Sequence, residues 1–192
     1  MPDHHSNLKD SELIRQTLDG DKSAFGVLIR RYQNRLFNSM VHILRSETDA
    51  EDAVQDAFVL AFTKLSTFKG KSQLFTWLYR IAYNVAVTRM RQRKPVVSLD
   101  GKPDQSRMDF PDPGPAPDDR MHRGEQVSEL NRALDRLSEE HRSILILREM
   151  DELDYDAISE ILDLPIGTVR SRLHRARHQL REILEGMLDR SG

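Results

Sequence analysis

Phe25, Leu28, Ile29, Tyr32, Leu36, Met40 and Ile43 follow one another at steps of mostly three and four residues. That period gathers them on one side of a helix, whereas strand side chains alternate with a period of two. The same signature returns in Ala53, Val54, Ala57, Phe58, Ala61 and Leu65, and Phe75 to Arg93 reads as a further long helix. Later in the chain Leu130, Leu134 and Leu137 make a stripe, and Ile144, Leu145 and Leu147 make another. No run sustains strand alternation, so the expected fold class is all-α. Cap residues punctuate the pattern. Ser11 or Asp10 precedes a helix carrying Leu13, Ile14 and Leu18, which Gly20-Asp21 ends. Thr48-Asp49 precedes the Ala53 helix, and Ser138 precedes the Ile144 helix, with Glu139 and Glu140 in its first turn. Phe68 to Ser72 reads as a loop.

Six of the eight prolines fall between Pro95 and Pro117, among Gly101, Gly114 and several Asp and Ser residues. This segment has no helical period and few large apolar side chains. It reads as a flexible linker over 95–123. The chain then divides into two small helical domains, 1–94 and 124–192. There is no internal repeat and no phosphate-cradling glycine loop.

The linker cuts a chain of 192 residues with 38% hydrophobic and 31% charged residues. No stretch approaches the ~20 apolar residues a spanning helix needs. The polar start MPDHHSNLKDSELI lacks an apolar secretion core, so the expected location is the cytoplasm, with no membrane insertion. The absence of cysteine excludes disulfides, thiolate zinc sites and cysteine nucleophiles. The net charge of −2 hides a segregation of sign. Ala57 to Leu99 holds eight Lys or Arg residues and no acid, whereas Glu129 to Asp163 holds eleven acids against four basic residues. Leu164 to Arg181 then carries five arginines and no acid. Such blocks mark separate surfaces for separate partners.

The last sign change sits on a helix-turn-helix pattern. Asp154-Tyr155-Asp156-Ala157-Ile158 opens one short helix, Asp163-Leu164-Pro165 breaks it, and Gly167-Thr168-Val169 opens a second. Val169, Leu173, Leu180 and Ile183 share the inward face of the second helix, leaving Arg170, Ser171, His174, Arg175 and Arg177 around the rest. A helix fits the major groove, and arginine makes bidentate contact with guanine. Between Phe68 and Lys94, aromatic residues alternate with cations. Phe68, Phe75, Trp77, Tyr79 and Tyr83 lie beside Lys69, Lys71, Arg80, Arg89, Arg91 and Arg93. Aromatic faces hold unstacked bases while cations hold the strand backbone. Phe75 and Trp77 fit better as core. Asn84 offers both a donor and an acceptor to a base edge.

Asp49, Asp52 and Asp56 share one helical face. Three carboxylates suggest Mg²⁺, but acids in a first turn are already accounted for by the helix dipole. No metal and no cofactor is expected. His4-His5 reads as tail, and His122, His141 and His178 lack ligand spacing.

The stretch DYDAISEILDLPIGTVRSRLHRARHQLREIL resembles the DNA-reading end of an extracytoplasmic-function (ECF) sigma factor, similar to the sigma-E and sigma-W type. LDRLSEEHRSILILREMDEL resembles the helices that precede it, and AFGVLIRRYQNRLF, DAEDAVQDAFVLAF and FKGKSQLFTWLYRIAYNVAVTRMRQR resemble the sigma-2 domain. The resemblance implies a bacterial, non-catalytic protein that binds core RNA polymerase, recognises promoter DNA, helps to open it, and is controlled by an anti-sigma factor. It implies −35 contacts from Thr168, Arg170, Ser171, His174, Arg175 and Arg177. It implies −10 contacts from the loop residues Lys69, Lys71, Ser72 and Gln73, and from Tyr79, Arg80, Tyr83 and Asn84. It places Asp52, Gln55 and Asp56 against the polymerase clamp. Two other readings stand beside it: a conventional helix-turn-helix repressor or activator, and a nucleic-acid enzyme built on the Asp49–Asp56 carboxylates.

Overall fold

The computed structural model describes residues 8–93 and 128–189. The 95–123 linker, His4-His5 and His122 lie outside them. The chain splits into two compact units, one holding residues up to Val97 and the other most of the chain from Ser98 onward. Among the described residues there is no strand.

The first unit has four helices: α1 (Asp10–Leu18), α2 (Lys22–Leu44), α3 (Glu47–Lys64) and α4 (Leu74–Arg93), with a 3-10 turn at Leu65–Thr67. Helix α3 packs on both α2 and α4, and α1 lies along α2. The α3 face is made of small residues. Ala50, Ala53, Ala57 and Ala61 are all buried, beside Val54 and Phe58, so the backbones approach closely. Leu28, Leu36, Met40 and Ile43 of α2 meet them, fully or almost fully buried. Each such side chain contributes about 1.5–3 kcal/mol relative to exposure.

The breaks between helices have local causes. Gly20, at φ 108°, makes the left-handed turn after α1. Asp21 caps α2 by accepting from the Ser23 N–H at 2.9 Å. Two caps differ from the sequence expectation. Lys9, not Asp10 or Ser11, precedes α1, and it makes no side-chain cap. Asp10 instead accepts from Arg31 and from the Tyr32 hydroxyl, pinning α1 to α2. Ser46, not Thr48 or Asp49, caps α3, accepting from the Asp49 N–H at 3.2 Å. Shifts of one to three residues arise here because several polar residues in a row all qualify as caps.

The described residues from 128 onward hold α5 (128–135), α6 (Glu139–Leu145), α7 (Tyr155–Leu162) and α8 (Ile166–Leu188). Leu134 and Leu137 are buried, while Leu130 is 42% exposed and drops out of the expected stripe. Ser138 caps α6, accepting from the His141 N–H. Arg142 to Leu147 are all buried, so this segment is covered all round rather than amphipathic. It continues into a π-helical turn, Ile146–Met150, where the Asp151 N–H reaches the Ile146 carbonyl at 3.0 Å. Asp154 caps α7 through the Ala157 N–H at 2.8 Å. Asp163, at φ 54°, makes the turn that follows. Helix α8 then starts at Ile166, one residue before the expected Gly167, with Pro165 preceding it. Pro165 takes the N-cap position itself and makes no side-chain cap.

Candidate nucleic-acid and polymerase interfaces

Helix α8 is anchored by Val169, Leu173 and Ala176, all buried. Leu180 and Ile183 are half-buried. Four residues a turn apart on the opposite side, Arg170, Ser171, His174 and Arg175, are exposed. The Ser171 hydroxyl donates to the Thr168 carbonyl at 3.1 Å, and Arg175 Nε to the Ser171 carbonyl at 3.3 Å. Among the described residues no carboxylate pairs with Arg170 or Arg175, so both guanidinium groups remain available to an anion. Arg170 lies 5.8 Å from the Tyr155 ring centroid, within cation–π range. Arg148 lies 5.2 Å from the same ring and donates to the Leu153 carbonyl at 2.8 Å. Thr168 is half-buried at the edge of this face.

Arg177 does not share that freedom. Its Nε and Nη2 both donate to Glu149 Oε1, at 2.9 and 2.6 Å. It sits on the flank of α8, lining a shallow groove with Leu145, Leu180 and Leu184. The pair is itself exposed, with the Arg177 and Glu149 side chains about half accessible, so Arg177 stays at the surface.

In α4, Leu74, Phe75, Leu78, Tyr79, Ala82 and Ala86 are buried. Asn84 and Arg91 are exposed, and Arg80 is half-buried. Steps of four and seven align these three on the outward side. Tyr83 is half-buried on the flank. Tyr79 is fully buried, its ring edge-on to Phe75 at 5.7 Å between centroids. It is a core residue, which corrects its place among the surface contacts. Phe75 is core as well. Trp77 is only half-buried and packs against Phe68 at 5.3 Å, so the pair ties the 68–73 loop to α4. The loop turns at Gly70, φ 65°. Lys69, Lys71 and Gln73 are exposed on it, and Ser72 half-buried.

Asp52, Gln55 and Asp56 are exposed along one side of α3. Among the described residues no group of three or more acids and histidines is arranged to hold a metal ion. Asp52 and Asp56 instead share one arginine. Arg89 of α4 donates Nη1 to Asp52 Oδ2 at 2.9 Å and Nη2 to Asp56 Oδ2 at 2.5 Å. Hydrogen bonds to Asp56 and Asp52 raise the Arg89 pKa above its ordinary value. The stripe continues a turn onward to Val59, which is 60% exposed. In the sequence Arg89 is one of several cations interleaved with aromatic residues. The one-turn spacing of Asp52 and Asp56 is visible in the sequence, whereas the α3–α4 packing that brings Arg89 to both is not.

Both units match known proteins. A model described as Sigma-70 region 2 matches residues 28–96, spanning α2 to α4, and one described as Sigma-70, region 4 matches residues 128–180, spanning α5 to the middle of α8. The ECF RNA polymerase sigma-E factor of Escherichia coli K12 is 34% identical, over 95% of this chain and 98% of the relative. The chain belongs to the ECF sigma factor family. The RNA polymerase sigma-H factor of Pseudomonas aeruginosa is also 34% identical, over 94% of the chain and 96% of the relative. The sigma factor SigW of Bacillus subtilis is 31% identical, over 91% and 96%. Two solved structures are similar to this ECF sigma factor chain at TM-score 0.67. One is CnrH in complex with the cytosolic domain of CnrY, 25% identical over 92% of the chain and 97% of that chain. The other is the sigma factor RpoE of Bartonella quintana with the anti-sigma factor NepR, 26% identical over 84% and 96%. Among the described residues no helix is long and apolar enough to cross a membrane.

Proposed function

We propose that this ECF sigma factor binds core RNA polymerase in the cytoplasm and directs it to promoters whose −35 and −10 elements its two units read separately. The outward face of α8 carries the reading. Arg170, Ser171, His174 and Arg175 are exposed together on a helix whose opposite side is anchored by Val169 and Leu173. A rigid helix presenting two arginines with no carboxylate partner among the described residues fits the major groove of the −35 element, with Arg175 and Arg170 on base edges or phosphates. Thr168 supports the start of that face. Arg177, held by Glu149, is left out of the direct contacts.

The loop residues Lys69, Lys71, Ser72 and Gln73, with Arg80, Tyr83 and Asn84 of α4, form the −10 surface. Its cations hold the strand backbone, while Asn84 reads a base edge. Asp52, Gln55 and Asp56 dock on a cationic polymerase surface. The protein supplies recognition, and the polymerase performs the chemistry. By analogy with the RpoE–NepR complex, an anti-sigma protein holds the factor inactive until a signal releases it.

Transcription from a candidate promoter, with purified core polymerase in the presence and absence of this chain, tests the reading. Specific initiation only when the chain is added is the expected result. Specific duplex binding with no polymerase-dependent initiation would instead identify a conventional helix-turn-helix regulator. Metal-dependent turnover of DNA by the chain alone would identify an enzyme.

A further inference from the structure

The acidic face of α3 is not an open row of charges. Asp52 and Asp56, on successive turns, are bridged by the two terminal nitrogens of Arg89, reaching across from α4. The Arg89 side chain is 29% exposed and the two carboxylates 50% and 52%. The bridge therefore lies at the surface, at the rim of the face assigned to the polymerase. A planar guanidinium spanning two carboxylates is a charge-assisted fork. It also sets a positive charge where an incoming cationic surface must approach. Each carboxylate engages Arg89 through one oxygen, Oδ2, so a partner arginine or lysine competes with an internal cation already in position.

We propose that Arg89 is an internal counter-ion of the polymerase-docking face, exchanged for a basic side chain of the polymerase when the holoenzyme forms. The proposal rests on the assignment of Asp52 and Asp56 to polymerase docking. Arg89 thereby sets how strongly this sigma factor competes for core polymerase. Docking trades two internal ion pairs for external ones, so the net gain is smaller than for an unoccupied acidic face. The salt dependence is also shallower, because charges screened in the complex were already paired in the free protein. Arg80 and Arg91 sit on the outward side of the helix, where the DNA-facing surface is assigned.

The test compares Arg89→Met, which keeps an apolar stem but removes the charge, with the wild-type chain. Core polymerase affinity is measured by fluorescence anisotropy across a salt series. Breaking two half-exposed pairs opposes docking by an amount that Arg89→Met removes, so affinity at low salt rises about three- to tenfold. The gap closes as salt increases. Arg89→Lys, which keeps the charge without the fork, falls between the two. Arg15→Met controls for net charge, because Arg15 of α1 is paired with Glu12 and with Asp19 just past the helix end, and is remote from the α3 face in sequence. It leaves polymerase affinity unchanged. Equal or weaker binding by a folded Arg89→Met chain overturns the proposal. If Asp52→Asn with Asp56→Asn weakens binding in the same experiment, the docking assignment survives and only the counter-ion role falls. If neither Arg89→Met nor the double asparagine variant alters affinity, both are wrong.

Discussion

Tyr79 and Asn84 stand five positions apart on α4 and face opposite ways, so replacing each by alanine separates a structural role from a contact role. Tyr79 is fully buried, with Phe75, Leu78 and Ala82 buried around it. Truncating a buried aromatic to alanine costs about 3–5 kcal/mol, a transfer loss plus the cavity left behind. Against the roughly 5–15 kcal/mol of a small domain, that is a large share of the total. The folding equilibrium of the first unit should fall by about two to four powers of ten. Asn84 is exposed, and Asn84→Ala should stay within about 0.5 kcal/mol of wild type. The single tryptophan of the chain, Trp77, lies in this unit, so urea unfolding followed by its fluorescence reports on the first unit alone. Promoter opening is read in parallel by permanganate reactivity of unpaired thymines. Tyr79→Ala should shift the unfolding midpoint sharply, and Tyr79→Phe should recover most of the loss. Asn84→Ala should leave the midpoint in place and impair −10 selectivity or opening. A Tyr79→Ala chain as stable as wild type that still fails to open DNA would refute the assignment of Tyr79 to the core.

The remaining surfaces give further tests. Asp52→Lys with Asp56→Lys should weaken holoenzyme assembly while far-UV circular dichroism stays unchanged, because exposed charges contribute little to folding. Normal polymerase affinity in the folded double variant would remove α3 from the docking surface. Arg175→Ala should lose about 1–3 kcal/mol of −35 binding and relax selectivity at one position. Arg177→Ala, which breaks only an exposed pair with Glu149, should not; matching selectivity profiles for the two would argue against this division of α8. Burial, then the hydrogen bond to Asp10, raises the Tyr32 pKa from 10 to about 12. The folded chain then holds this proton more tightly than the unfolded chain. Its stabilising effect is complete below pH 10 and is lost as pH rises towards 12. Tyr32→Phe should flatten that loss in urea titrations run from pH 9 to 12.

Much of this was readable in the sequence because helical spacing fixes a face whatever the tertiary context. Phe25, Leu28, Leu36, Met40 and Ile43 lie in the core as their spacing required. So do Ala53, Val54, Ala57, Phe58, Ala61 and Leu65, and Arg170, Ser171, His174 and Arg175 are exposed together. Tyr79 was misplaced although the same rule applied to it. Phe75, Tyr79, Ala82 and Ala86 recur at four, three and four residues. The cations interleaved with these aromatics mimic a nucleic-acid surface, but the spacing decides which face is buried. The Arg89 bridge and the Arg177–Glu149 pair are different in kind. Each joins elements distant in the chain, and no local period encodes which surface arginine meets which carboxylate. Leu130 shows the converse limit: its spacing is right, but it sits in the first turn of α5, where nothing need cover it.

The π turn at Ile146–Met150 bears on how sequences of this kind are compared. A helical wheel drawn straight through from Glu139 misorients every position after Leu147, because a π turn takes one residue more than an α turn to complete. Alignments should tolerate a one-residue gap inside 146–150. At that place a deletion restores the ordinary α repeat, whereas in the middle of α8 it would swing Arg175 and its neighbours about 100° around the axis. Length variation concentrated there would leave the exposed face of α8 untouched.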